Sequence, residues 1–309
     1  MKTSPHPQIS IVIPVYRSGT ILPKLIEQLT LVLSQHFSAY EIILADDASP
    51  DDTWKVIESI CVSNNQVKAV GLRMNAGQHN AIIAGLNYAA GEVIVCMDDD
   101  LQHPPEEIPK LIEAQKINNT DIVYGMYKVK YHSVIRNIGS AFIRKTSDYK
   151  KQTHEGGSSF RLLRKSLVET VVKNHSQNFL FLDAVLNWYS TNIQLVEVNH
   201  ESRKFGKTGY TLTKLLNIYI NIVYYYSTKP LKLIIILGLT SSFFSFLIGL
   251  RFIYNKLIHD VPLGYTSIIV AIMFSTSIIL FCLGVIGNYL YKLYQLQQNK
   301  PPYSIKNVA

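Results

Sequence analysis

No charged residue occurs in 233–250, and none again between Asp260 and Lys292. Stretches of this length match the ~20 apolar residues that a membrane-spanning helix needs. Neither Ile234-Ile235-Ile236-Leu237 nor Ile268-Ile269-Val270 offers the polar stripe of a helix that faces water on one side. Two buried helices of a large soluble core are the alternative, and the missing stripe argues against them. The carboxyl-terminal third is therefore expected to form two membrane spans, and any soluble chemistry must be carried by the residues before them.

Those earlier residues alternate between strand and helix signals. A continuous apolar run at 9–15 has strand length, 21–33 carries helical spacing, and 41–45 is a second strand. Ser49-Pro50-Asp51-Asp52 then combines an N-cap residue, proline at the first helical position and acids in the first turn. Residues 67–72 read as a strand, 78–90 as a helix ended by Gly91, and 92–97 as a further strand. This alternation predicts an α/β domain, a mostly parallel sheet covered by helices. The first strand is followed by Pro14-Val15-Tyr16-Arg17-Ser18-Gly19, with no G-x-G-x-x-G, and no Walker phosphate loop occurs in the chain. Dinucleotide and ATP-binding readings therefore fall away.

Behind the strand at 92–97 lies Met97-Asp98-Asp99-Asp100-Leu101-Gln102-His103-Pro104-Pro105. Three carboxylates and a carboxamide at the carboxyl end of a buried strand suit a hard divalent cation, because alternate acids in an extended turn can reach one ion. An acidic turn that merely caps the following helix would use the same residue types.

The string DDDLQHPPE, preceded by IVIPVY at 11–16, DDAS at 46–49 and NAGQHNA at 75–81, resembles the family 2 glycosyltransferases. Within that family it looks like the polyprenyl-phosphate glycosyltransferases, whose relatives include dolichol-phosphate mannose synthases. The ordered motifs cover about residues 9–231, and the two spans extend the likeness by architecture. The resemblance implies a GT-A nucleotide-sugar-binding domain at 1–210, an interfacial amphipathic helix at 211–229, and a two-span transmembrane hairpin with a short cytosolic tail at 230–309.

It also implies roles for particular residues. Pro14 and Tyr16 match the family's grip on the nucleoside, and Asp46 and Asp47 its base-recognising acids. Asp98, Asp100 and Gln102 match the metal and diphosphate motif, with Mg2+ or Mn2+ as the ion; Asp99, at a position often small in relatives, is a bystander or a supporting group. Arg203 and Lys207, in the segment RKFGKTGY, would meet donor phosphates. Relatives commonly carry an acid before Phe-Arg-Leu, where this chain has Ser159. A carboxylate base at that point is thus in doubt, but a phosphate monoester, with a second pKa of ~6, already arrives ionised at pH 7. Arg136, Arg144 and Lys145 are the cations expected to hold it, and Glu155 or Asp183 are substitute acids.

The expected reaction is inverting transfer of one sugar from a nucleoside-diphosphate sugar to a polyprenyl phosphate, undecaprenyl phosphate in particular. A processive polysaccharide synthase would need a Gln-x-x-Arg-Trp signature, and neither Trp54 nor Trp188 ends one. A non-catalytic membrane scaffold that kept the fold, or transfer to another membrane acceptor, are the remaining alternatives.

The chain opens MKTSPHPQ with no apolar h-region, so no cleavable signal is expected. Lys229 and Lys232 precede the first span and Lys292, Lys300 and Lys306 follow the second. By the positive-inside rule this places the catalytic domain and both termini in the cytosol of a multi-pass cell-membrane protein. Arg251 and Lys256 in the connection weaken that orientation without reversing it. The net charge of +8 is concentrated near the membrane segments, which favours lipid headgroups over nucleic acid. Cys61, Cys96 and Cys282 are too dispersed for a disulfide framework. The sequence allows a homo-oligomer.

Overall fold

The computed structural model describes residues 6–127, 158–174, 182–199, 264–297 and 301–309, with isolated positions between 234 and 258. Two units divide the chain. One comprises Met1–Asn137, Lys150–Gly209 and Asn299–Ala309, the other Ile138–Tyr149 and Tyr210–Gln298.

The first unit is built on an eight-stranded sheet of order β7-β5-β6-β4-β1-β2-β3-β8. Strands β1 (Ile9–Val15), β2 (Tyr40–Asp46), β3 (Val67–Leu72) and β4 (Val93–Cys96) run parallel, in the order β4-β1-β2-β3. Every residue of β1 and β2 is buried, as expected of central parallel strands covered on both faces. Helix α1 (Leu22–His36) buries Leu22, Leu25, Ile26, Leu29, Val32 and Leu33, the spacing of one helical face, and starts with Pro23 in its first turn.

Helix α2 (Thr53–Ser63) begins later than its sequence suggests. The Ser49 N–H donates to the Asp46 carboxylate at 3.2 Å and the Ser49 hydroxyl accepts the Arg17 N–H at 3.0 Å. Ser49 is thus occupied in holding two strand ends together and does not cap the helix. Helix α3 (Gln78–Leu86) is shorter than the expected 78–90. Its chain leaves the helix so that the Ala90 and Gly91 N–H groups reach Glu41 and Ser10, at 2.7 and 2.8 Å. A side chain at Gly91 would lie 2.6 Å from the Ser10 nitrogen, so glycine is required for that approach.

A 3-10 turn (Pro105–Glu107) leads into α4 (Ile108–Asn118) and β5 (Ile122–Tyr127). Strand β6 (Arg161–Arg164) then inserts antiparallel between β4 and β5. Helices α5 (Lys165–Asn174) and α6 (Leu182–Tyr189) precede β7 (Ile193–Val198), which pairs parallel with β5. One sheet face packs on α1 and α4 and the other on α3, α5 and α6.

The second unit contains α7 (Tyr265–Gln297), 33 residues long. At 1.5 Å per residue it spans about 50 Å, more than the ~30 Å hydrocarbon core of a bilayer. Among the described residues it is the one helix long and apolar enough to cross a membrane, over Phe274–Tyr291. The expected first span, the expected interfacial helix at 211–229, and Arg136, Arg144, Lys145, Glu155, Arg203 and Lys207 fall wholly or largely outside the described residues. Residues 301–309, read from sequence as a short cytosolic tail, contribute β8 (Ile305–Val308) to the edge of the first unit's sheet, antiparallel to β3.

Candidate active site

The strand order reverses beside β1: the chain runs outward through β2 and β3, then crosses back to place β4 on β1's other side. Open α/β sheets bind ligands at such a point, outside the carboxyl ends of the strands. The loops leaving β1, β2 and β4 all emerge there, and each contains a non-glycine residue in the left-handed region: Arg17 (φ 57°), Ala48 (φ 54°) and Leu101 (φ 59°). Each such residue costs about 1–2 kcal/mol. Three of them in adjacent loops at one sheet edge are the pattern of a site whose geometry is held by the surrounding fold.

The β4 loop brings the acidic turn to this edge. The Asp98 carboxylate accepts a hydrogen bond from the Gln78 side-chain amide at 2.7 Å, and Asp100 accepts the Gln102 N–H at 3.2 Å. Gln78 opens α3, so the first turn of that helix is joined to the acidic turn. Asp99 is half-buried, with the Ser18 side chain and the Tyr16 backbone in hydrogen-bonding reach of its carboxylate, an arrangement that suits a supporting group. Burial raises its carboxyl to about 6, against the lowering effect of those bonds. It ties the acidic turn to the loop after β1, where Tyr16 is 44% exposed and carries the Arg17 guanidinium 5.4 Å from its ring centroid.

Asp46 ends β2 and Asp47 follows it. Burial raises both carboxyls above the usual carboxylate range. Asp46 accepts the Ser49 N–H, whereas Asp47 receives the Ala76 and Gly77 N–H groups at 2.6 and 2.9 Å, one on each oxygen. The Asn75 amide also donates to the Asp47 carbonyl at 3.2 Å. A carboxylate at the amino end of α3 is favourably placed against the helix dipole. Asp47 therefore anchors the β3–α3 loop, and Gly77, at φ 89°, provides the turn that lets this loop enter the helix.

Behind the acidic turn lies a buried polar cluster that the sequence did not disclose. The Arg161 guanidinium is fully buried and paired with Asp183, whose same oxygen accepts the Tyr124 hydroxyl at 2.9 Å. Asp183, a substitute base on the sequence reading, is thus engaged in neutralising Arg161. His79 is near enough to feel the charges of this pair and of Asp98; the Leu182 N–H donates to its Nδ1 at 3.5 Å, and burial, aided by the Arg161 charge, lowers its imidazole to about 4. On the other sheet face, the buried His103 stacks on Phe160, centroids 5.2 Å apart and planes 14° from parallel. That contact brings Ser159 and the end of the acidic motif into one neighbourhood. The only sequence signal for the cluster was the polar triplet Gln78-His79-Asn80 opening an otherwise apolar helix.

The donors gathered by the acidic turn, Asp98, Asp100 and Gln102, are all oxygen atoms, as magnesium or manganese requires. Among the described residues no group of three or more His, Cys, Asp and Glu side chains is clustered to hold a metal. The set fits an ion that also binds ligand oxygens, two carboxylates being the share such sites commonly ask of the protein.

The glycosyl transferase family 2 model matches residues 10–172, more than half of the chain and every loop of this edge up to α5. The chain is a family 2 glycosyltransferase. Its eight-stranded α/β unit is accordingly a GT-A domain, and a mycobacterial protein of known crystal structure shares the fold at a TM-score of 0.51 and 15% identity, over 71% of this chain and 73% of that one. The likeness to curated relatives extends further than the family domain. An undecaprenyl-phosphate 4-deoxy-4-formamido-L-arabinose transferase of Serratia proteamaculans is 30% identical over 100% of this chain and 96% of its own. One of the same name from Proteus mirabilis is 29% identical over 98% of this chain and 94% of its own.

Proposed function

We propose that this glycosyltransferase moves a single sugar from a nucleoside-diphosphate sugar to undecaprenyl phosphate or a closely related polyprenyl phosphate, with inversion at the anomeric carbon. The observation that carries the reading is end-to-end similarity to transferases named for that acceptor, through the apolar helix as well as the GT-A domain. In this reading Pro14, Tyr16, Asp46 and Asp47 line the nucleoside pocket. Asp98, Asp100 and Gln102 hold a divalent cation, which would supply Lewis-acid stabilisation of the departing diphosphate. Arg203 and Lys207 meet the donor phosphates, and Arg136, Arg144 and Lys145 hold the acceptor phosphate.

The acceptor needs no protein base, because its phosphate is already an anion near neutral pH. Two features of this chain agree with that. Ser159 stands where relatives commonly place an acid, and Asp183 is committed to Arg161 and Tyr124. An oxygen of the lipid phosphate attacks the anomeric carbon from the side opposite the diphosphate, and the carbon–oxygen bond to the diphosphate breaks as the new one forms.

The topology supports a membrane hairpin. The chain leaves the GT-A unit after Gly209 and rejoins its sheet through Asn299–Ala309. If α7 crosses the bilayer, a second crossing must precede it, because β8 pairs with β3 on the side from which the chain set out. The catalytic unit and residues 301–309 then share the cytosolic face, where soluble nucleotide sugars and the lipid phosphate meet.

The purified protein in detergent should release nucleoside diphosphate from at least one nucleotide sugar when undecaprenyl phosphate is added, and not when undecaprenol or inorganic phosphate is added. Release that ignores the lipid phosphate, or no release across a broad donor panel, overturns the reading.

A further inference from the structure

We infer that residues 303–309 are a positioning segment for the nucleotide-sugar site: they fasten the β3–α3 loop that clasps Asp47. The inference rests on the donor-site reading above. Strand β8 continues a ladder along β3, with Val70 opposite Val308, Gly71 opposite Asn307 and Leu72 opposite Ile305. Ala69 and Ala309 exchange both backbone hydrogen bonds, at 2.7 and 2.9 Å, and the ladder runs on past the strand end, where the Arg73 N–H donates to the Ser304 carbonyl at 2.8 Å. Only Met74 then separates the last residue held by the tail from Asn75, the first of three consecutive residues that bond to Asp47. The loop is short enough for its two anchors to be mechanically linked.

Side chains reinforce the link. Tyr303, Ile305 and Ala76 pack against the same small cluster, Ala45, Val70, Leu72, Ala81 and Ala84. Ala76 is the residue whose N–H meets Asp47 at 2.6 Å. Tyr303 also accepts a hydrogen bond from the Asn87 side chain at 3.2 Å, at the far end of α3. Removal of the tail would expose the edge of β3, free the Arg73 N–H and take apolar wall from beside Ala76. The added strand acts as a peptide does in β-augmentation, with main-chain bonds for affinity and alternate side chains for register. Here its readout is the order of a loop and, through it, the position of a carboxylate in the donor pocket.

The test is an otherwise intact chain ended before Pro301, purified beside wild type in detergent, with and without the synthetic peptide PPYSIKNVA. Hydrogen exchange at the Ala76 and Gly77 amides is expected to accelerate by at least about tenfold in the truncated protein, the equivalent of ~1.4 kcal/mol of lost protection. The donor KM should rise by a similar factor, while the acceptor KM and kcat stay within about twofold and the peptide reverses both changes. Unchanged exchange at Ala76 and Gly77 overturns the inference, as does faster exchange with a wild-type donor KM. If exchange responds as expected but the wild-type protein transfers no sugar, the fastening stands and the donor-site reading fails. Should the truncated chain not fold, the same two readouts on Tyr303→Ala, with Tyr303→Phe retaining the packing, decide the matter.

Discussion

Asp100→Asn abolishes sugar transfer, lowering it by at least about a thousandfold, while the protein still folds and enters the membrane. The substitution keeps side-chain size and a carbonyl oxygen that can accept the Gln102 N–H, so the turn around Leu101 keeps its shape. It removes one of the two alternate carboxylates that would hold the cation, and with it much of the charge stabilisation of the leaving diphosphate. A loss of ~4 kcal/mol in the transition state corresponds to that factor. Initial rates with saturating magnesium or manganese check it, and turnover within about tenfold of wild type would sink the assignment of Asp100.

The second large effect is on stability and follows from His79. Its imidazole has a folded pKa of about 4, below the ordinary 6.5, because burial and the Arg161 charge disfavour the cation. Between pH 6.5 and 4 the unfolded chain therefore binds more protons than the folded one at this site. The stabilisation is complete above the unfolded value and is lost as the pH falls toward the folded value. At pH 5 the loss amounts to about 2 kcal/mol, since each pH unit crossed within that window removes roughly 1.4 kcal/mol. The full-length protein in detergent should thus lose more stability between pH 7 and pH 5 than a His79→Gln variant, by about that amount. Identical pH profiles for the two proteins would show that His79 titrates normally and that the polar cluster is open to water.

Much of the GT-A core is legible in the sequence because its signals are local. The apolar run of β1, the one-sided helix α1 and the strand at the acidic motif need only periodicity and turn chemistry to be found. Two boundaries moved for tertiary reasons. Ser49 has the identity of a helix cap, but Asp46 and Arg17 claim it; α3 stops early because Glu41 and Ser10 need the Ala90 and Gly91 amides. The insertion of β6 between β4 and β5 depends on pairings far apart in the chain, and a four-residue strand carries little pattern by which to announce them. Strand β8 was hidden for a similar reason: SIKNVA after an apolar helix reads as a polar tail until β3 offers it an edge.

The site divides along the same line. Asp98, Asp100 and Gln102 could be singled out because their chemistry and spacing lie within one turn. The contact of Gln78 with Asp98, the pairing of Arg161 with Asp183 and the tie from Asp99 to the Tyr16 loop join residues 20 and more positions apart, or reverse the role that residue type suggested. Asp47 is the clearest case, since its identity as an acid just after a strand was visible while its two backbone partners in the β3–α3 loop were not.

The most direct test of the central claim is the mass of the lipid product. Membranes or purified protein, incubated with a panel of nucleotide sugars, a divalent cation and undecaprenyl phosphate, should yield a lipid heavier than the acceptor by one sugar residue and still carrying one phosphate. A lipid diphosphate, a ladder of two or more added sugars, or no change in lipid mass with any donor would contradict it.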